Sequence, residues 1–149
     1  KKVMTPKPVL YSLEKNILLN KTILEEIKTQ GFTRIPVFET NEDNIIGILY
    51  AKDLIGLFNE TKTVADFLTD KMPIRVKDSI LLDTLLNHFI QQKIHIATVY
   101  DTFGTFIGIA TLEDIIEEII RQEIVDEVDR VTDLQHLAVE QSQKLLIDN

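Results

Sequence analysis

The chain has 149 residues, 44% of them hydrophobic, and a formal net charge of -8 at pH 7. A chain of this length can bury one substantial core or two small ones. The negative charge argues against a nucleic-acid partner, because binding to phosphates requires a basic surface. The sequence contains no cysteine, which excludes disulfides, thiolate catalysis and cysteine-bound zinc. No apolar run approaches the roughly 20 residues of a membrane span, and no signal peptide opens the chain, so we expect a soluble protein. The first residue is Lys1 rather than Met and residues 1–8 resemble a linker, so we expect a piece of a longer protein.

The first 68 residues predict one β-α-β-β-α unit. Prolines at positions 6 and 8 keep the N-terminal segment out of a helix, and a proline in the second strand predicts either an edge strand or the end of a sheet. The predicted elements are a strand at 9–11, a turn at 12–15, a helix at 17–30 ended by Gly31, a strand at 34–38, a polar turn at 39–44, a strand at 45–50, a short helix at 51–59 and a last short segment at 64–68.

Residues 69–130 repeat this order of elements. The predictions are a strand at 74–76, a helix at 79–92 capped by Asp78 or Ser79, strands at 96–100 and 106–110, and a closing helix from residue 112. Lys15 matches Lys77 and Val37 matches Val99 at a spacing of 62, whereas Gly47 with Gly108 and Asp53 with Asp114 are 61 apart. We interpret this as an internal duplication. The predicted fold is α+β, with two repeats related by a pseudo-twofold axis, two mirrored clefts and a linker or tail at 131–149.

The end of the last strand carries the strongest functional pattern. Thr111 suits a helix N-cap, and Asp114 lies three places on, in the first helical turn. Both side chains would face the open end of the helix, where an ionised carboxylate can accept hydrogen bonds from the two hydroxyls of a ribose. The alternative interpretation is that the two residues only cap the helix.

The closing helix combines an apolar stripe with an acidic face. We expect part of the stripe to cover the sheet and the rest to pack on a second chain. The acidic face is a weaker candidate for a magnesium site, since carboxylate oxygens suit hard cations. The stripe contains Leu112, Ile115, Ile116, Ile119, Ile120 and Ile124.

Three sequence blocks, at residues 3–6, 32–38 and 111–120, carry a family resemblance. Together with the Gly-x-x-x-x-x-Asp pattern that ends each copy, they resemble a tandem pair of cystathionine-β-synthase (CBS) domains, also called a Bateman module. Within that group they look like the CBS pair of the CorC/HlyC and CNNM magnesium and cobalt transport proteins. The resemblance implies a regulatory module without catalysis, on the cytoplasmic side of a membrane and joined to a membrane domain of the same parent chain.

The resemblance also implies a ligand, either ATP or AMP, with Mg²⁺ arriving together with ATP, and a homodimer of CBS pairs. Asp114 would hold the ribose hydroxyls, and Thr111 the sugar or a nearby phosphate. Arg34 would approach the phosphates, which suits the forked donors of a guanidinium. The remaining implied contacts are Phe32, Thr33, Ile35 and Pro36 around the base, with Thr5 or Val9 along the wall.

The mirrored cleft departs from this pattern. Asp53 is present there, but Tyr50 stands where Thr111 does and Ile96 where Arg34 does, which argues against a nucleotide; Lys52 and Arg75 are its obvious anion partners. Two other hypotheses remain open at this stage. One is a structural dimerisation module with empty clefts, and the other is an enzyme that uses Asp114 as an acid or base.

Overall fold

The computed structural model of the chain describes residues 3–57 and 61–147, with residues 142–147 described by their backbone alone. The mixture of helices and strands confirms the α+β class. The strands are β1 Thr5–Pro6, β2 Leu13–Glu14, β3 Arg34–Glu39, β4 Asn41–Tyr50, β5 Ile74–Lys77, β6 Ile96–Tyr100 and β7 Phe106–Thr111. The helices are α1 Lys21–Gln30, α2 Leu82–Gln92 and α3 Leu112–Ile147, and 3-10 turns lie at Lys7–Val9, Ala51–Leu54 and Val64–Phe67.

Two sheets repeat one pairing pattern. The first has the order β2-β3-β4 and the second β1-β7-β6-β5. Val37 lies opposite Gly47 in the β3/β4 hairpin, and Val99 lies opposite Gly108 in the β6/β7 hairpin, as the spacings of 62 and 61 predicted. Each hairpin adds a parallel strand, β2 on β3 and β5 on β6. The structure therefore contains the predicted duplication.

The parallel strands revise one detail of the alignment. Leu13 pairs with Val37 and Val76 with Val99, so β2 and β5 are related by 63 positions rather than 62. Lys15 consequently corresponds to Asp78 and not to Lys77. The backbone agrees, because the N–H of Lys15 donates to the Phe38 carbonyl at 3.0 Å and that of Asp78 donates to the Tyr100 carbonyl at 2.8 Å.

The segments that lead into helices α1 and α2 differ from the prediction. Residues 9–11 are not a strand, because the strand that joins β3 is Leu13–Glu14. Helix α1 begins at Lys21, where Asn20 accepts from the N–H of Ile23 at 3.0 Å, since residues 17–19 instead bond to residues 62–64. Helix α2 begins at Leu82 after Leu81, which provides no side-chain cap, so the caps predicted at Asp78 and Ser79 are wrong. The polar turn predicted at 39–44 is mostly strand, because β4 extends back to residue 41.

Pro36 lies in the central strand of the first sheet and not at an edge. It faces Ile48 of β4 on one side. On the other side β2 pairs only through Leu13 and Glu14, opposite Val37 and Phe38. The pairing therefore begins one residue after the proline and does not include it. The short partner strand explains how a residue without an N–H fits there.

Each repeat has its own core, and a third core joins them. Buried side chains from β4 of the first repeat pack against side chains from β6 and β7 of the second. Each repeat has only about 60 residues, a length that gives a marginal core by itself, so the shared cluster is a large part of what holds the fold. Its buried members are Ile45, Ile48, Ile96, Tyr100, Phe106 and Ile109.

Strand β1 crosses from the N-terminus to the sheet of the second repeat. Thr5 pairs with Ile109 and Pro6 with Gly108. A Cβ atom at Gly108 would lie 2.4 Å from the carbonyl oxygen of Thr5, so only glycine permits this close approach. The matching glycine, Gly47, faces the flexible side chain of Leu68 instead.

Helix α3 has 36 residues and continues through the boundary expected at residues 130 and 131. Ile115 is buried and Ile119 packs beside it in the second-repeat core. Ile116, Ile120 and Ile124 follow at four-residue spacing on another face and are exposed. None of the helices in the described part of the chain is long and apolar enough to cross a membrane.

We expect Gly108→Ala to lower the free energy of unfolding by roughly 1 to 3 kcal/mol, the usual cost of forced overpacking. The added methyl group would push β1 away from β7, because its nearest neighbour is backbone. Gly47→Ala is the matched control and should cost less, since a leucine side chain can move. Urea unfolding of both variants measures the difference, and equal losses would contradict this account of Gly108.

Candidate functional site

Thr111 and Asp114 form a capping box at the start of α3. The Thr111 hydroxyl donates to Asp114 Oδ2 at 2.7 Å, and the Thr111 N–H donates to the same oxygen at 3.0 Å. The Asp114 N–H donates in return to Thr111 Oγ1 at 3.3 Å. Within the described residues these bonds use only Oδ2, so Oδ1 keeps its capacity to accept from a ligand.

Arg34 reaches this corner from the other repeat. It is the first residue of β3 and pairs with Tyr50 of β4. Its Nη2 atom lies 3.8 Å from Oε1 of Glu113, the residue next to Asp114. Both side chains are partly exposed, so a ligand anion can compete with Glu113 for the guanidinium.

A cavity of about 210 Å³ lies between these groups, and we call it the inter-repeat cavity. Of the nine residues that sequence reasoning selected, seven line it: Thr5, Val9, Phe32, Thr33, Arg34, Thr111 and Asp114. Ile35 and Pro36 do not line it, and both side chains are buried. The cavity thus brings a carboxylate of the second repeat and a guanidinium of the first to one space.

Sequence reasoning missed four lining residues, of which Tyr11 matters most. The others are Leu10, Gly31 and Ile109. The Tyr11 ring stacks on Phe32, with centroids 4.6 Å apart and planes 6° apart, and its hydroxyl donates to Glu26 Oε2 at 2.9 Å. Burial, with the hydrogen bond and charge of Glu26, raises the pKa of the Tyr11 phenol to about 12. The sequence contains one signal for this contact, an aromatic residue two positions after the predicted wall residue Val9. The prediction of a strand at 9–11 hides it.

The arrangement supplies the functions that a nucleotide needs. The stacked pair offers an aromatic surface, Asp114 an acceptor for hydroxyls, and Arg34 donors for phosphate. No group of three potential metal-binding His, Asp or Glu side chains occurs within the described residues. The geometry of the aromatic pair, Asp114 and Arg34 suits binding of an anionic nucleoside compound.

The mirrored corner around Asp53 differs in kind. Asp53 lies in the 3-10 turn Ala51–Leu54. Tyr50 is the N-cap residue of this turn, but its side chain makes no capping hydrogen bond. Burial raises the pKa of the Tyr50 phenol, while the charge of Arg34 opposes the rise. The ammonium of Lys52 lies 5.5 Å from the centre of the Tyr50 ring, and Ile96 is buried. The corner has a carboxylate, but Tyr50 makes no capping bond like that of Thr111, and the position equivalent to Arg34 holds Ile96.

Comparison with known proteins shows which families and structures this chain resembles. The sequence profile of the CBS domain matches residues 1–60 and 64–121. A chloroplastic DUF21 domain-containing protein of Arabidopsis thaliana is 43% identical over 112 residues, which cover 72% of this chain and 17% of that protein. The CBS domain of the bacterial CNNM/CorC family Mg²⁺ transporter in complex with ATP is 33% identical, with a TM-score of 0.69 and coverage of 79% of this chain and 84% of that chain. CBSX2 in complex with AMP is 26% identical, with a TM-score of 0.62 and coverage of 81% and 95%.

Two successive matches to one domain define the class as a tandem CBS pair. The chain belongs to the CBS-domain family. Its similarity to the CBS domain of CNNM/CorC Mg²⁺ transporters and to the DUF21 proteins confirms the resemblance inferred from the three sequence blocks. The chain spans about a sixth of the length of the plant relative.

Proposed function

We propose that this chain is the regulatory, adenine-nucleotide-binding CBS pair of a CorC/CNNM-like magnesium or cobalt transport protein. The observation that carries the proposal is the inter-repeat cavity, into which Arg34 and Asp114 come from different repeats. Asp114 Oδ1 accepts from the ribose, Arg34 leaves Glu113 for the phosphates, and the Tyr11 and Phe32 pair contacts the base. The ATP and AMP complexes of similar CBS domains support the choice of an adenine nucleotide.

A ligand that touches both repeats can act as a regulator. Its binding free energy depends on the relative position of Arg34 and Asp114, so the nucleotide favours the arrangement in which both contacts form. Helix α3 begins at Thr111 and Asp114 and carries any change away from the cavity. The receiver would be a membrane domain of the parent chain, with this module on the cytoplasmic side and Mg²⁺ brought in by ATP. Binding and not turnover is the proposed activity.

Asp114→Ala should weaken binding of ATP and AMP about ten- to a hundredfold, because one charge-assisted hydrogen bond contributes roughly 1.5 to 3 kcal/mol. Calorimetry with ATP, AMP and adenosine, each with and without Mg²⁺, measures this. Asp53→Ala is the matched control from the mirrored corner and should change affinity little. Asp114→Asn keeps an acceptor for the cap, which separates loss of binding from loss of the fold.

Two results would contradict the proposal. If the unaltered chain binds none of the three compounds, Thr111 and Asp114 only cap α3, and the chain is a structural dimerisation module. If Asp53→Ala and Asp114→Ala reduce affinity equally, the assignment of the ligand to one corner is wrong.

Glu113→Gln should strengthen binding of ATP about two- to fivefold, since an exposed ion pair contributes roughly 0.2 to 1 kcal/mol and its loss frees Arg34 for phosphate. Adenosine, which has no phosphate, should bind the variant and the unaltered chain equally. A parallel gain for adenosine would show that Glu113 acts through the fold and not through Arg34. The same calorimetric titrations give both affinities.

The exposed face of α3 supports a homodimer. Ile116, Ile120, Ile124 and Val128 lie at four-residue intervals, outside the face that covers the second-repeat core. A second copy of α3 would cover this stripe, and we expect Ile124→Lys to convert dimer to monomer without lowering affinity for ATP. Light scattering over a range of concentrations checks the mass. A monomer already present in the unaltered chain at high concentration would contradict the dimer.

A further inference from the structure

A second cavity of about 620 Å³ lies in the second repeat, and we call it the second-repeat cavity. Its lining includes three cations, Lys71, Arg75 and Lys93, against one acid, Asp70. The whole chain has a net charge of -8, so this cluster reverses the prevailing sign. A local excess of positive charge in an acidic protein favours an anionic ligand.

The second-repeat cavity is the duplicate of one wall of the inter-repeat cavity. Lys93 corresponds to Gly31 and Ile94 to Phe32 at the spacing of 62. Gly31 and Phe32 line the inter-repeat cavity, and their counterparts line this one. The duplication has therefore produced two related cavities with different linings.

The lining lacks the features that suit a nucleoside. Among the described residues that line it, none is aromatic, whereas the inter-repeat cavity has Tyr11 and Phe32. Asp53 is not part of the lining either, so no carboxylate from the mirrored corner reaches a ribose there. What remains is a cationic surface with aliphatic neighbours.

The three cations are available to a ligand. In the described ranges 3–57 and 61–147, none of them forms an ion pair with a carboxylate, while Arg34 and Lys15 do. The Arg75 guanidinium lies 3.7 Å from the centre of the Tyr100 ring, which is buried. The ring attracts the cation, and the described residues include no hydrogen bond that occupies the side-chain N–H donors of Arg75.

Lys93 occupies a backbone conformation that favours glycine. Its φ is 53°, and the equivalent residue in the first repeat is Gly31 with φ 70°. A side chain in this left-handed region costs roughly 1 to 2 kcal/mol. A cation at the end of α2 gains roughly 0.3 to 1 kcal/mol from the helix dipole, which offsets only part of that cost. Glycine at position 93 would relieve this strain.

We propose that the second-repeat cavity binds a phosphate-type anion without a nucleoside, held by Lys71, Arg75 and Lys93. The ligand is a free polyphosphate or the headgroup of an anionic phospholipid, which share this chemistry. The site is spatially separate from the inter-repeat cavity, since the two have no lining residue in common.

Calorimetry with inorganic pyrophosphate tests the site in the full 149-residue chain carrying Arg34→Ala, which removes the guanidinium of the other cavity. We expect binding in this background, and Lys93→Gly should reduce the affinity at least fivefold. The same substitution should raise the unfolding temperature, because glycine relieves the strained φ. Arg75→Gln should weaken binding similarly. Lys28→Gln, which removes a positive charge outside this cavity, is the matched control and should not.

Absence of pyrophosphate binding in the Arg34→Ala chain would overturn the proposal. So would an unchanged affinity after Lys93→Gly in a folded chain. Co-sedimentation with vesicles of phosphatidylcholine, with and without a phosphoinositide, identifies the source. Capture by the phosphoinositide vesicles that Lys93→Gly abolishes indicates a headgroup, and pyrophosphate binding alone indicates a free anion. Binding of ATP to Lys93→Gly with Arg34 intact should be unchanged, which separates this test from that of the proposed function.

Discussion

The packing of the β4 strand against the β6 and β7 strands is the contact on which the rest of the structure depends. Six buried side chains from the two repeats meet there, among them Ile48 and Ile109. Neither repeat contains both Arg34 and Asp114, so the inter-repeat cavity exists only while this packing holds. Strand β1 adds to it by bringing Thr5 onto β7, which places the N-terminal wall of the cavity on the second repeat.

The pattern of apolar residues along the chain predicted three of the strands correctly. The apolar runs at 34–38, 96–100 and 106–110 matched β3, β6 and β7 to within a residue at each end. The errors lie where distant segments pair. Leu18 bridges Thr63, and Leu19 bonds to Lys62, so residues that look helical in isolation are used in contacts some 45 positions away. Pro36 fits in a central strand because β2 is short and pairs with β3 only from Val37 onward, a feature that no local pattern predicts.

The candidate site divides in the same way. Thr111 and Asp114 could be predicted because their spacing along one helix turn fixes their geometry. The proximity of Arg34 could be inferred only from the duplication and the resemblance. The stack of Tyr11 on Phe32 and the ion pair between Arg34 and Glu113 form through space between segments far apart in sequence. Nothing in the spacing of those residues encodes either contact.

The two corners of the duplicated fold explain why a helix cap and a ligand contact need not exclude each other. Asp114 uses Oδ2 for Thr111, and this bond holds the carboxylate in one rotamer before any ligand arrives. A preorganised acceptor loses less side-chain entropy on binding. At the mirrored corner Tyr50 makes no side-chain capping hydrogen bond, and the chain there forms the 3-10 turn Ala51–Leu54, whereas Thr111 is followed by the 36-residue helix α3. The cap therefore orients the carboxylate at one corner only, and it leaves Oδ1 of Asp114 available for the proposed ligand contact.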